Sequence, residues 1–389
     1  MKDLRNVIAN EWMKMIRKKR LWITMLLGMI VVVGLVALNY MGNNYNQLEA
    51  SKQQLEYLQS ELKQQQAMEK PDIAIKDIQQ EIKDVKQQIT ELEQLDSGNW
   101  RKTAEDRLKI IQERSSNRQM DEYDKTESLK LQYHLDHDVP LYPEWKAKAY
   151  QNTTDILTFT AMIFLPMLVV ILIADMMSGE TTSGTIKLLL VRPISRITIL
   201  VGKWIVALLA TIILSLSLMA VLWGANLVLY GFNGGLSPEV VGIHYSFKTV
   251  FQDGVEVINA IPNFNHIIVL PAYQFVIYSI LLTTFAMLAV ASLAFLCSTL
   301  FKSSMISTGV AFAFIILGTI IGQMLNTGKY LFWLFSIHLN LLGNWRGEVS
   351  KTYLMNLPLS FGLTVLSVWM ILCLIVAIFY FRKKDIFNA

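Results

Sequence analysis

The sequence predicts an all-α integral membrane protein with six transmembrane helices, an N-terminal interfacial helix, and a large helical insertion between helices 1 and 2. Three observations carry this. Six apolar runs are long enough to span a bilayer, none of them holds Asp, Glu, Lys or Arg, and the polar residues concentrate between the first two. The runs are residues 21–41, 156–174, 204–230, 267–300, 305–325 and 359–381. About 20 apolar residues, rising ~1.5 Å each, cross the hydrocarbon core. The 53% hydrophobic share of the 389 residues alone would also suit a large soluble protein, so distribution decides the class.

The chain divides accordingly into residues 1–20, an interfacial helix; 21–41, the first span; 42–154, an extracytoplasmic helical domain; and 155–389, spans two to six. In 1–20, Leu4, Val7, Ile8, Trp12, Met15 and Ile16 recur at helical spacing with Lys and Arg opposite, as in a helix lying in a membrane interface. The first run has a basic flank but exceeds the ~7–15 residues of a signal-peptide core, and no small-residue cleavage site follows. It reads as a signal anchor. Cys297 and Cys373 lie within apolar runs and read as small buried hydrophobes.

Charge gives the sidedness. Residues 42–154 carry 16 Lys or Arg against 21 Asp or Glu, net −5, which leaves +9 elsewhere. Lys14, Arg17, Lys18, Lys19 and Arg20 precede the first span, and Arg382, Lys383 and Lys384 follow the last. Lys187, Arg192, Arg196 and Lys203 occupy the loop between spans two and three. Positive loops stay cytoplasmic, so both termini and this loop face inward and 42–154 faces outward. Trp22, Tyr40, Trp204, Tyr230 and Tyr380 near span ends fit an interfacial belt. No basic surface is interleaved with aromatics, which excludes a nucleic-acid partner.

Within the insertion, Leu48, Leu55 and Leu62 are seven apart with Leu58 between them; Ile75, Ile78, Ile82, Val85, Ile89 and Leu92 follow a 3-4 spacing. These are heptad seams. They predict two helices, 47–68 and 72–95, folding back at Pro71 into a coiled-coil hairpin, with further helix over 103–114 and 123–135. The hairpin reads as a spacer or dimer contact, or as a lid or receptor for an extracellular ligand; the structural role is preferred. His134 and His137, beside Asp136 and Asp138, read as a solvated polar turn and not a zinc site. Segment 231–266 offers no recognisable chemistry.

No phosphate-binding loop or H-E-x-x-H pattern occurs, so no catalytic, cofactor or metal site is expected. Ion-coupled carriers keep ionisable groups at midplane; these spans offer only hydroxyls, amides and thiols. If the chain transports, its energy comes from elsewhere.

The loop over 176–203 supplies a candidate for that connection. Gly179-Glu180, then Ser183-Gly184-Thr185, "IKLLL", "RPISR" and "ILVGKW" resemble the cytoplasmic loop of permease subunits of type-2 ABC transporters. Residues 288–312, "LAVASLAFLCSTLFKSSMISTGVAF", resemble that family's turn between fourth and fifth helices. The resemblance covers nearly all the membrane part but not 42–154. It implies a coupling helix touching an ATP-binding-cassette ATPase subunit, with Gly179, Glu180, Gly184, Thr185, Leu189, Arg192, Pro193 and Arg196 as its residues. ATP and magnesium would bind in that partner and no cofactor in this chain. A second permease copy or paralogue, the lipid bilayer and a bacterial cytoplasmic membrane are also implied. In the family, 326–358 holds helices dipping into the outer leaflet; a surface amphipathic loop is the other reading of that segment.

Physically, Thr181, Thr182 or Ser183 caps a helix bearing Ile186, Leu189 and Leu190, and Pro193 ends it. Changing Glu180 or Arg196 is expected to uncouple ATP hydrolysis from transport without loss of assembly. The function so read is the permease subunit of an ATP-driven exporter of a lipid-like, peptide or amphipathic substrate. A non-transporting envelope-stress or ligand-sensing complex and a sodium-extruding permease are the alternatives.

Overall fold

The computed structural model describes residues 2–43, 47–67, 72–117, 121–185, 194–252, 255–324 and 331–383. Six helices among them are long and apolar enough to cross a membrane. The chain opens with α1 (Lys2–Arg17), bends at Lys18, and continues as α2 (Lys19–Asn43).

The polar insertion follows as α3 (Gln47–Ala67), α4 (Asp72–Asp96), α5 (Trp100–Asn117) and α6 (Glu122–Asp136). Along the seam between α3 and α4, Leu58, Ile78, Ile82, Val85 and Ile89 are buried together, with Leu48, Leu55 and Leu62 against them. Lys52 near the start of α3 pairs with Glu93 near the end of α4 at 2.7 Å, so the two helices run antiparallel. The expected reversal point, Pro71, lies outside the described residues. A second small core joins α5 and α6 around Trp100, Ala104, Ile111 and Leu131.

The solvated turn expected at His134 is not there. His134 is 3% exposed, with Nδ1 2.9 Å from the Val139 carbonyl and its ring tilted against Trp100. Burial holds its pKa below the ordinary histidine value. His137 remains exposed, stacked on Tyr133.

The second apolar run is broken. It forms α7 (Lys148–Met162) and α8 (Phe164–Ile173), separated at Ile163. Pro166 lies in the first turn of α8, where its missing N–H breaks no helical bond. The short α9 (Ser178–Thr182) and the 35-residue α10 (Arg196–Tyr230) follow.

Segment 231–266, in which the sequence reading finds no recognisable chemistry, contains strands. β1 (Pro238–Val241) pairs antiparallel with β4 (Ile268–Pro271), and β2 (His244–Gln252) with β3 (Val255–Asn263). The fourth apolar run was expected to be helical from residue 267. Its first residues instead pair as β4, and α11 (Ala272–Leu300) begins after Pro271.

α12 (Ser304–Met324) precedes the segment expected at 326–358. From residue 331 this segment consists of 3-10 turns at Leu331–Trp333 and Phe335–His338, then α13 (Leu341–Arg346) and α14 (Glu348–Thr352). It is not a surface loop: Phe335, Leu339, Leu341 and Leu342 join the main core. His338 is fully buried, and Asn344 donates to the Leu357 carbonyl at 2.9 Å. The chain ends in α15 (Leu359–Lys383).

Most of the core lies between α8, α10, α11 and α15. Cys297 and Cys373 are buried there and free. The aromatics near the ends of the apolar runs satisfy their polar tips: Trp204 donates to Ser292 Oγ at 3.2 Å, Tyr230 to Asn39 at 3.1 Å, and Tyr380 to the Leu300 carbonyl at 3.1 Å.

Candidate functional site

Val7, Glu11 and Met15 are spaced four apart on α1, so they share one helix face, and all three are buried. That face lies on the beginning of α10. A Cβ built on Gly202 would stand 2.6 Å from Val7 Cγ1, so only glycine lets the two helices approach this closely.

One residue further on, Lys203 is 1% exposed, and its ammonium lies 2.6 Å from Glu11 Oε2 and 2.8 Å from Glu180 Oε1. Lys14 reaches Glu11 Oε1 at 2.6 Å and Glu180 Oε1 at 3.5 Å. Beside them Arg20 pairs with Asp175. Burying a lysine without partners is costly; here two carboxylates offset that cost. Burial alone would raise the Glu11 pKa, but Lys203 and Lys14 hold it below the ordinary carboxylate value. Burial likewise works to lower Lys14, and its contacts with Glu11 and Glu180 leave it raised.

Glu180 belongs to α9, and the turn carrying it is tied to a different pair of helices. Ser298 Oγ, near the end of α11, accepts the backbone N–H groups of Met177 at 2.8 Å and Ser178 at 3.1 Å. Ser307 of α12 donates to the Ala174 carbonyl at 2.7 Å, and Thr182 donates to that of Lys302 at 2.8 Å. Gly184, at φ +71°, takes the left-handed conformation that closes α9, its N–H bonding the Thr181 carbonyl. The Glu180 turn thus contacts α1, α10, α11 and α12. A cleft of about 680 Å³ opens beside it, lined in part by Lys14, Arg17, Lys18, Gly179, Glu180 and Thr185.

Of the residues expected from the sequence, Gly179, Glu180 and Thr185 line this cleft, and Gly184 makes the left-handed turn between Glu180 and Thr185. Arg196 begins α10, whose N-cap is Ser195, accepting from Thr198 N at 3.1 Å. Leu189, Arg192 and Pro193, with the helix expected there, lie outside the described residues. Sequence reasoning missed Lys203 as a partner of Glu180, Glu11 as the second carboxylate on that lysine, and Ser298 as the acceptor for the Met177 and Ser178 amides of the Glu180 turn. One signal was available: Glu11 is a carboxylate set between Val7 and Met15 on the apolar line of α1.

At the opposite end of the bundle the insertion docks onto the strands. Glu122 of α6 accepts from Tyr245 at 2.6 Å and from Lys351 at 3.2 Å. Arg346 sits 4.7 Å over the Phe275 ring, with Asp155, Glu239 and Glu348 at 3.8–4.0 Å. Among the described residues no group of three or more His, Cys, Asp or Glu is placed to hold a metal.

The described residues thus form a helical bundle with six helices long and apolar enough to cross a membrane, whose inter-span turn is bonded to several helices at once. Residues 5–386 match the family model described as ABC-2 family transporter protein, and the chain belongs to that family. It is also similar to the uncharacterized protein YhcI of Bacillus subtilis strain 168, 26% identical over 272 residues, covering 69% of this chain and 78% of that one. Members of this permease family work in the membrane with an ATP-binding subunit.

Proposed function

We propose that the chain is the membrane-spanning permease subunit of an ATP-driven exporter in a bacterial cytoplasmic membrane. Both termini and the 176–203 loop face the cytoplasm, and 42–154 faces outward; the positive-inside distribution supports this orientation. Two permeases, identical or paralogous, join two ATP-binding-cassette subunits that bind ATP and magnesium. The cargo is lipid-like, peptidic or otherwise amphipathic, in keeping with apolar runs that hold no Asp, Glu, Lys or Arg.

The observation that carries this reading is the four-helix attachment of the Glu180 turn. A displacement of that turn by an ATPase closing on nucleotide is passed to α1 and α10 through ion pairs, and to α11 and α12 through Ser298 and Ser307. The bundle then shifts between inward- and outward-open arrangements, ATP favouring one of them.

The test is co-purification with the ATPase subunit, followed by reconstitution in vesicles. Glu180→Gln is expected to leave the complex assembled and hydrolysing ATP while substrate movement is lost. ATP-driven export at the normal rate by this variant would refute the role of Glu180. Sodium-dependent ATPase activity would move the assignment to sodium extrusion.

A further inference from the structure

We propose that the mouth of the cleft between α1 and the Glu180 turn holds the phosphate of an anionic phospholipid, whose chains lie along the exposed face of α2. Charge accounting leads there. Glu11, Asp175 and Glu180 line the cleft, and Lys203, Lys14 and Arg20 neutralise them. Arg17 and Lys18 line the same cleft, are exposed, and form no ion pair among the described residues. Two positive charges therefore remain over at the cleft, with Lys19 exposed beside them at the bend joining α1 to α2, complementary to an anion.

The neighbouring surface selects a lipid anion over a soluble one. Directly after the bend, Trp22, Ile23, Leu26, Leu27 and Ile30 are each at least half exposed on α2. Trp22 donates to the Ile16 carbonyl at 3.0 Å, which fixes the bend and leaves the ring outward at the level of the cations. A cation pair above an exposed apolar helix face, with an indole between them, matches the order of phosphate, interface and acyl chain in a leaflet. Lys14 lies in the same cleft and bonds Glu180, so the bound phosphate sits next to the network that holds the turn. The inference is independent of the transport reading.

The test uses the full chain in phosphatidylcholine vesicles containing increasing amounts of brominated phosphatidylglycerol. Quenching assigned to Trp22, by difference from Trp22→Phe, reports the lipid at this site. Wild type is expected to prefer phosphatidylglycerol over phosphatidylcholine severalfold, and Arg17→Gln/Lys18→Gln to lose that preference. The charge-conserving Arg17→Lys/Lys18→Arg is expected to keep it, which covers the case where the neutral variant does not fold. Equal quenching by both lipids in wild type overturns the proposal. So does a preference unchanged in the neutral variant or lost in the charge-conserving one. Inorganic phosphate at millimolar concentration should not displace the lipid; displacement would assign the cations to a soluble anion instead.

Discussion

Replacing Glu11 by Gln should damage the protein far from any substrate, because Lys203 is 1% exposed and Glu11 supplies its shorter ion pair, at 2.6 Å. Removing one member of a buried pair costs about 3–5 kcal/mol when the other charge is left alone. Here Glu180 still lies 2.8 Å from Lys203, and Lys14, the other cation bound to Glu11, is 41% exposed and can turn to water. The loss is therefore expected nearer ~2–3 kcal/mol. Lys203→Met should lose a similar amount, since it leaves Glu11 buried with Lys14 as its cation. The double variant Glu11→Gln/Lys203→Met removes both charges, and a coupling energy of roughly 1–3 kcal/mol should be recovered. Thermal unfolding of the detergent-solubilised chain reads this: each single variant falls by on the order of 5 °C, and the double variant falls by less than the two together. Strict additivity would refute the argument, because it would mean that the two charges do not sense one another.

Three further outcomes follow from other contacts. Ser298→Ala leaves the Met177 and Ser178 N–H groups without their acceptor. Hydrogen exchange at 176–180 should accelerate, in line with about 1–3 kcal/mol for buried donors left unsatisfied; unchanged exchange would remove the serine from the account. Ile82→Ala, in the α3–α4 seam, should cost ~2 kcal/mol, the low end for core truncation, because this core is only one helix pair thick. Limited proteolysis within 47–96 checks it. The insertion should also loosen in mild acid through His134. Its folded pKa is depressed, so below the ordinary value of 6.5 the unfolded state takes up the proton first. Stability is full above that pH and declines as pH falls toward the folded pKa. Hydrogen exchange over α5 and α6 at pH 7 and pH 5 measures this, and His134→Gln should abolish the difference.

What could be read in advance follows from the range of the interactions. The spans and the α3–α4 seam rest on local periodicity, so Ile78, Ile82, Val85 and Ile89 were identifiable from spacing alone. The strands carried a local signal too: β-branched and aromatic residues on either side of Asp253-Gly254, the dipeptide of a tight hairpin, in a stretch read for chemistry and not for pattern. The break at Ile163 sits inside an unbroken apolar run, where hydropathy is blind to backbone geometry. Lys203 was counted as one more basic residue of an inward loop because its partner Glu11 lies 192 residues away. Pairings that distant are set by the packing of α1 on α10, and no window along the chain contains them. Ser298 is likewise 120 or more residues from the amides it binds.

The contact at Gly202 limits how the molecule can move. With Val7 seated against bare backbone there and Lys203 clasped by Glu11 one residue later, the first helix cannot slide along α10 or roll over it. Any tilt of the long helix must swing α1 with it, like an oar fixed to its shaft. A rearrangement deep in the bundle would then be visible at its rim, as a change in the angle of one short helix.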